Sequence, residues 1–140
     1  MTQASKPLQI GDELPPVLHS CDILQSAIFA DCTANYHRVH WDHEYARSEG
    51  LSCAIVNSGV LMAWVEAHIQ DIYGSAVTWK KMDFKFEKPV PIGSTVHSGG
   101  SIKNAFSEHQ DGLTLQIAIW IRGLDGSIHL TGEAVIEISQ

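Results

Sequence analysis

The chain has 140 residues, of which 44% are hydrophobic and 18% charged, with a formal net charge of -7. That length holds one domain with a core of its own, and the composition excludes a disordered chain. The acidic balance excludes broad nucleic-acid binding, because Lys80 and Lys81 form the only basic pair and no basic stripe is present to neutralise phosphates.

Taken in order, residues 1–16 read as a polar, extended N-terminal arm carrying Lys6-Pro7 and Pro15-Pro16. Its opening MTQASKPLQI has no apolar run of the kind a secretory signal needs. Val17 to Ser20 can make a short strand. Asp22 with Gln25 has capping-box spacing, and apolar residues at helical intervals predict a short helix over Ile23 to Cys32. A histidine-rich loop follows (His37, His40, His43), then a helical turn over Asp42 to Glu49, closed by Gly50. Asn57 or Ser58 starts a long helix that Gly74 ends. Its run from Val60 to Tyr73 is apolar nearly all round, so something large must bury it. Glu66, His68, Gln70 and Asp71 interrupt that run, and no membrane span is expected. Cys21, Cys32 and Cys53 are odd in number and lack CxxC spacing, which fits unpaired thiols packed as small core residues in a reducing cytoplasm.

After Gly74 the period changes to two. Thr78, Lys80, Met82, Phe84 and Phe86 are expected on one strand face, with Trp79, Lys81, Asp83, Lys85 and Glu87 on the other. Pro89 to Gly93 makes a turn. A second strand is expected over Ser94 to Ala105, its Gly99-Gly100 pair suggesting a bulge. Leu113, Leu115, Ile117, Ile119 and Ile121 mark a third strand; Asp125-Gly126 turns the chain, and Ile128 to Ile138 returns. A helical first half followed by successive antiparallel strands predicts an α+β domain: a sheet wrapped around one helix.

Four stretches resemble one family. HRVHWDHEYARSEG resembles the hydratase signature of the MaoC-like dehydratases, and its spacing to VNSGVL resembles their histidine-glycine turn into the central helix. FEKPVPIGSTV resembles the family's strand turn, and LDGSIHLTGEAVIEI resembles its closing hairpin. The likeness covers nearly everything from Ile23 onward. It implies a single hot-dog domain over 1–140, usually dimeric, acting on enoyl or 3-hydroxyacyl thioesters of coenzyme A. Two positions depart from the better-known (R)-specific hydratases: Asn35 stands where they have Asp, and Asn57-Ser58 where they have His-Gly. The run Asn35-Tyr36-His37-Arg38-Val39-His40-Trp41-Asp42 is instead similar to the branch of the mesaconyl-CoA hydratases.

Hydrating a conjugated thioester needs a base for the water, a proton for the α-carbon and stabilisation of the enolate oxygen. The resemblance gives the acid/base role to His40, an imidazole being able to do both near neutral pH. Asn35 cannot take a proton but can hold the water, and His37 would orient His40 or cap a turn. Asn57, Ser58 and Gly59 open the long helix, where backbone N–H groups can face the thioester oxygen. His43 is expected to be solvated. The spacing of the three histidines invites a metal, but zinc sites favour sets closed by Cys or further carboxylates, so none is expected. No cofactor is expected beyond the coenzyme A of the substrate. Arg38 and Arg47 are candidates for its phosphates, with plain surface charge as the default. Glu66, costly if buried unpaired, should face substrate or a neighbouring subunit; some hot-dog thioesterases carry their catalytic acid on this helix, which makes hydrolysis an alternative. A non-catalytic partner subunit beside a sister MaoC-like chain is another, and Asn35 would suit it. Trp79 and Trp120 are expected to expose apolar area, favouring a homodimer or larger even assembly.

Overall fold

A computed structural model of the chain describes residues 9–107 and 112–139; the first part of the expected arm, residues 1–8, lies outside them. In chain order the elements are β1 (Glu13–Ser20), α1 (Ile23–Cys32), a 3-10 turn (Arg38–His40), α2 (His43–Ser48), α3 (Ser58–Tyr73), β2 (Val77–Phe86), β3 (Thr95–Ser107), β4 (Gly112–Gly123) and β5 (Ile128–Ser139).

Helix α3 starts and stops where its local chemistry dictates. Asn57 has extended backbone, and its side-chain oxygen accepts the Gly59 N–H at 2.8 Å. Gly74, at a φ of 75° that favours glycine, ends the helix and donates to the Gln70 carbonyl. Leu61, Val65, His68 and Ile69 form the buried stripe. They face a five-stranded antiparallel sheet of order β1-β3-β4-β5-β2. Alternate residues of its central strands, including Ile102, Ile117, Ile121, Leu130 and Ile136, complete the core. One long helix held on one face of such a sheet is the expected α+β hot-dog arrangement.

Three details differ from the sequence reading. Strand β1 begins at Glu13 and so takes in Pro15 and Pro16. It lies at the sheet edge, and the register slips between Leu14 and Val17, where the two prolines have no N–H to give. The Gly99-Gly100 pair makes no bulge with β4: pairing runs unbroken from Gly99–Trp120 to Gly100–Ile119, and the slip comes between Ile102 and Asn104. Gly99 is needed for another reason, since a Cβ there would run into the Trp120 ring. In β2 a slip between Trp79 and Lys81 moves Trp79 onto the inward face with Val77, Met82 and Phe84. Trp79 is therefore packed against the core. Trp120 is half-buried beneath the Arg122 guanidinium, 4.3 Å from its ring, so neither tryptophan is the exposed apolar area expected. Leu24, Ile28 and Phe86 expose more.

The segment after β2 is more than a turn. Val90 is fully buried, and its carbonyl accepts from Val56; Ile92 donates to Ala54, and Ile55 bridges Pro91. A short antiparallel pairing thus fixes residues 54–56 beside the end of β2.

Candidate active site

The 3-10 turn brings the histidine segment to this pairing. His37 caps it, its Nδ1 accepting the Val39 N–H at 3.4 Å. Arg38 is committed within the segment. Its guanidinium donates to Asp42 from Nε (3.1 Å) and Nη2 (2.5 Å) and lies 4.5 Å over the Tyr45 ring. Asp42 in turn caps α2 by accepting the Tyr45 N–H; that bond, then Arg38, holds its carboxyl below the usual range.

His40 is held at three points. Its N–H donates to the His37 carbonyl (3.1 Å), its carbonyl accepts from the Ser26 hydroxyl (2.5 Å), and its Nδ1 lies 3.0 Å from the Ile55 carbonyl. A carbonyl can only accept, so Nδ1 carries the proton and the neutral ring keeps its lone pair on Nε2. The Ile55 N–H closes the arrangement by donating to Val39 at 2.9 Å.

The half-buried His40 ring lines a cleft of about 290 Å³. Its other walls are Ile55, Val56, Leu61, Phe86, Pro89 and Val90, with Ser58 at the helix start and Glu87 and Lys88 supplying charge. An apolar slot with few polar groups is the usual form of a small-molecule site. At its helix end the two N–H groups differ. The Gly59 N–H is taken by Asn57, whereas the Ser58 N–H has no partner among the described residues. Gly59 is also backed closely by Phe29: an added Cβ would stand 2.8 Å from its ring. Asn57 is buried, and its Nδ2 has no partner among the described residues.

The remaining candidates lie around this cleft rather than in its walls. Asn35 follows Ala34, which has a φ of 53°; its backbone N–H is bound to Ala30 while its side chain is exposed. His37 is exposed, its ring edge-on to His40 at 6.1 Å and to Tyr45 at 6.2 Å. His43 is not the solvated ring expected: it is half-buried, and its Nδ1 accepts the Ala54 N–H at 3.1 Å, tying α2 to the wall strand. Glu66 is half-buried on α3 outside the cleft walls, and Arg47 is exposed. The sequence reading missed Ser26, the Ile55 carbonyl and the wall from Phe86 to Val90. Only Ser26 left a local trace, as a small polar residue one turn before Ala30 on the buried side of α1.

The sequence model of the MaoC like domain matches residues 16–111, more than half of the chain, and the protein belongs to the MaoC-like dehydratase family. Among the curated proteins none matches. The solved structures it resembles include the (R)-hydratase from A. caviae involved in PHA biosynthesis, with a TM-score of 0.83 and 18% identity over 96% of this chain and 99% of that one. R-hydratase PhaJ1 from Pseudomonas aeruginosa has a TM-score of 0.84 and 19% identity, over 95% of this chain and 83% of that one. The ChsH1-ChsH2 complex from Mycobacterium tuberculosis follows at 0.79 and 19%, covering 93% and 98%. At such identities the likeness carries the hot-dog fold, not an activity. Among the described residues no helix is long and apolar enough to cross a membrane.

Proposed function

We propose that the protein is a hydratase/dehydratase that interconverts 2-enoyl and 3-hydroxyacyl thioesters of coenzyme A, with His40 moving the proton. One observation carries this most: His40 has Nδ1 pinned to the Ile55 carbonyl in the wall of an apolar cleft that is also lined by Ser58, whose N–H has no partner among the described residues. In hydration, Nε2 takes a proton from water as the water oxygen bonds to the β-carbon. The electron pair of the double bond moves toward the thioester oxygen, where the Ser58 N–H meets the developing charge. The proton then passes to the α-carbon, and the reverse sequence is dehydration. Gly59 and Asn57 serve by building the helix start. Asn35, whose exposed amide has no partner among the described residues, is assigned the incoming water, and His37 the support of His40. The reaction needs no cofactor beyond the substrate's coenzyme A. The free thiols Cys21, Cys32 and Cys53 suit a reducing, cytoplasmic setting.

A second reading is favoured by the place of Asn35 outside the cleft walls: a chain that supports an active sister MaoC-like subunit. The mycobacterial relative is a complex of two different chains, which is the assembly this reading would require. Thioester hydrolysis through Glu66 lacks such support, because Glu66 does not line the cleft. Incubating the purified protein with crotonyl-CoA and a branched enoyl-CoA separates the three. Loss of the conjugated double bond without release of free thiol is the expected result. Thiol release would indicate hydrolysis, and inertness until a sister chain is added would indicate the supporting role.

A further inference from the structure

We propose that Ser26, on α1, is a positioning residue for His40; the inference rests on reading His40 as the proton-transferring group. Ser26 is completely buried, and with Ala30 it forms the buried side of a helix whose Leu24 and Ile28 are exposed. A buried hydroxyl must find a partner, and a helical serine ordinarily turns back to the carbonyl four residues earlier. That carbonyl belongs to Asp22; it accepts the Ser26 N–H, and a helix carbonyl can take a hydroxyl as well, as that of Phe29 does from both the N–H and the hydroxyl of Thr33. The Ser26 hydroxyl instead crosses to the His40 carbonyl, fourteen residues on, at 2.5 Å.

The consequence follows from what else holds His40. Its N–H is bound within the 3-10 turn and its Nδ1 to Ile55, so the Ser26 bond fixes the remaining polar group of its backbone. Without that bond the carbonyl is left wanting a donor, and the peptide can tilt toward one. The ring is then carried off the line between Nδ1 and the Ile55 carbonyl. That line is what keeps the proton on Nδ1 and the lone pair on Nε2. Ser26 does not line the cleft and its hydroxyl bonds the His40 backbone, so it acts through the geometry and tautomer of His40. A small misplacement of a reacting group is costly, and about a tenfold fall in kcat is expected on its loss.

The test compares Ser26→Ala and Ser26→Cys with the parental protein, using ¹⁵N-histidine NMR and steady-state hydration of crotonyl-CoA. The His40 signals are identified by their disappearance in His40→Ala. Ser26→Ala should move His40 from the Nδ1–H tautomer toward a mixture and lower kcat about tenfold at unchanged KM. Ser26→Cys, which keeps a weak donor, should fall between. A merely structural serine would lower the melting temperature and leave the tautomer alone. Folded Ser26→Ala protein with the parental tautomer and parental kcat overturns the proposal. If Ser26→Ala does not fold, the same two readouts on Ser26→Cys decide it. If the parental protein hydrates no thioester, the reading of the site fails, while the tautomer comparison still decides whether Ser26 positions the ring.

Discussion

In the proposed chemistry Ser58 acts through its backbone alone, so that role can be isolated by removing one N–H. Proline is well tolerated at the first position of a helix, and the extended backbone of Asn57 (φ -64°, ψ 139°) is what a residue before proline adopts. Ser58→Pro should therefore keep the fold and lose about a hundredfold in kcat, the usual cost of one oxyanion donor. Steady-state kinetics beside a thermal melt check this; full activity in a folded variant would mean the donor lies elsewhere. The helix caps were legible in the sequence because their chemistry is local. Asp22 with Gln25, Asn57 and Gly74 each sit within three or four residues of the groups they satisfy. Ser26 and His43 were not legible as site residues: their partners, His40 and Ala54, lie fourteen and eleven residues away. Nothing in a helical pattern announces that a serine will bond outside its helix.

At the scale of elements, one hydroxyl of β3 links the edge strand β1 to α3, beside a ring stack between the two. Ser98 Oγ lies 2.8 Å from His19 Nε2 and 2.8 Å from His68 Nδ1, and the His19 ring stacks on Trp64 at 4.9 Å. The hydroxyl can donate to one neutral ring while accepting from the other, whereas two protonated rings would both donate into one oxygen and set two positive charges against each other there. Burial pushes both rings below the usual value of 6.5, for His19 with help from the His68 charge and for His68 against the pull of the Pro15 backbone and then of Asp71. The unfolded chain then binds more protons than the folded one below pH 6.5. Stability is fully present above that pH and declines as the pH falls toward the lower native values. The expected slope is on the order of 1 kcal/mol per pH unit for each proton involved. His68→Gln keeps a polar group for Ser98 but does not titrate, so urea unfolding from pH 7.5 to 5.5 should be flatter for it than for the parent. Equal slopes would contradict this. The strands themselves were legible from their alternation, most clearly in β4. Their slips were not: in β2 the polar and apolar residues mix, and one extra residue at Lys80 reverses the faces without altering the pattern read locally.

For the whole molecule, the outer edge of β2 has no strand partner among the described residues, and Phe86 at its end is half exposed. A second copy is the expected cover. The solvent-side residues Lys81, Asp83, Lys85 and Glu87 alternate in sign. Antiparallel self-pairing about Phe84 sets Lys81 opposite Glu87 and Asp83 opposite Lys85, while pairing about Asp83 sets Lys81 opposite Lys85. The first register is therefore expected. Asp83→Lys should weaken the dimer about tenfold, and adding Lys85→Asp should restore it; sedimentation equilibrium reads both, and a parental monomer would refute the assembly. Phe86 both ends this edge and lines the cleft, so a second copy paired here would stand beside the cleft. The proposed chemistry depends on His40. Its most direct test is the turnover of crotonyl-CoA by His40→Ala protein shown to be folded by circular dichroism. A fall of roughly two to four orders of magnitude from the parental rate is predicted, and hydration at the parental rate would contradict it.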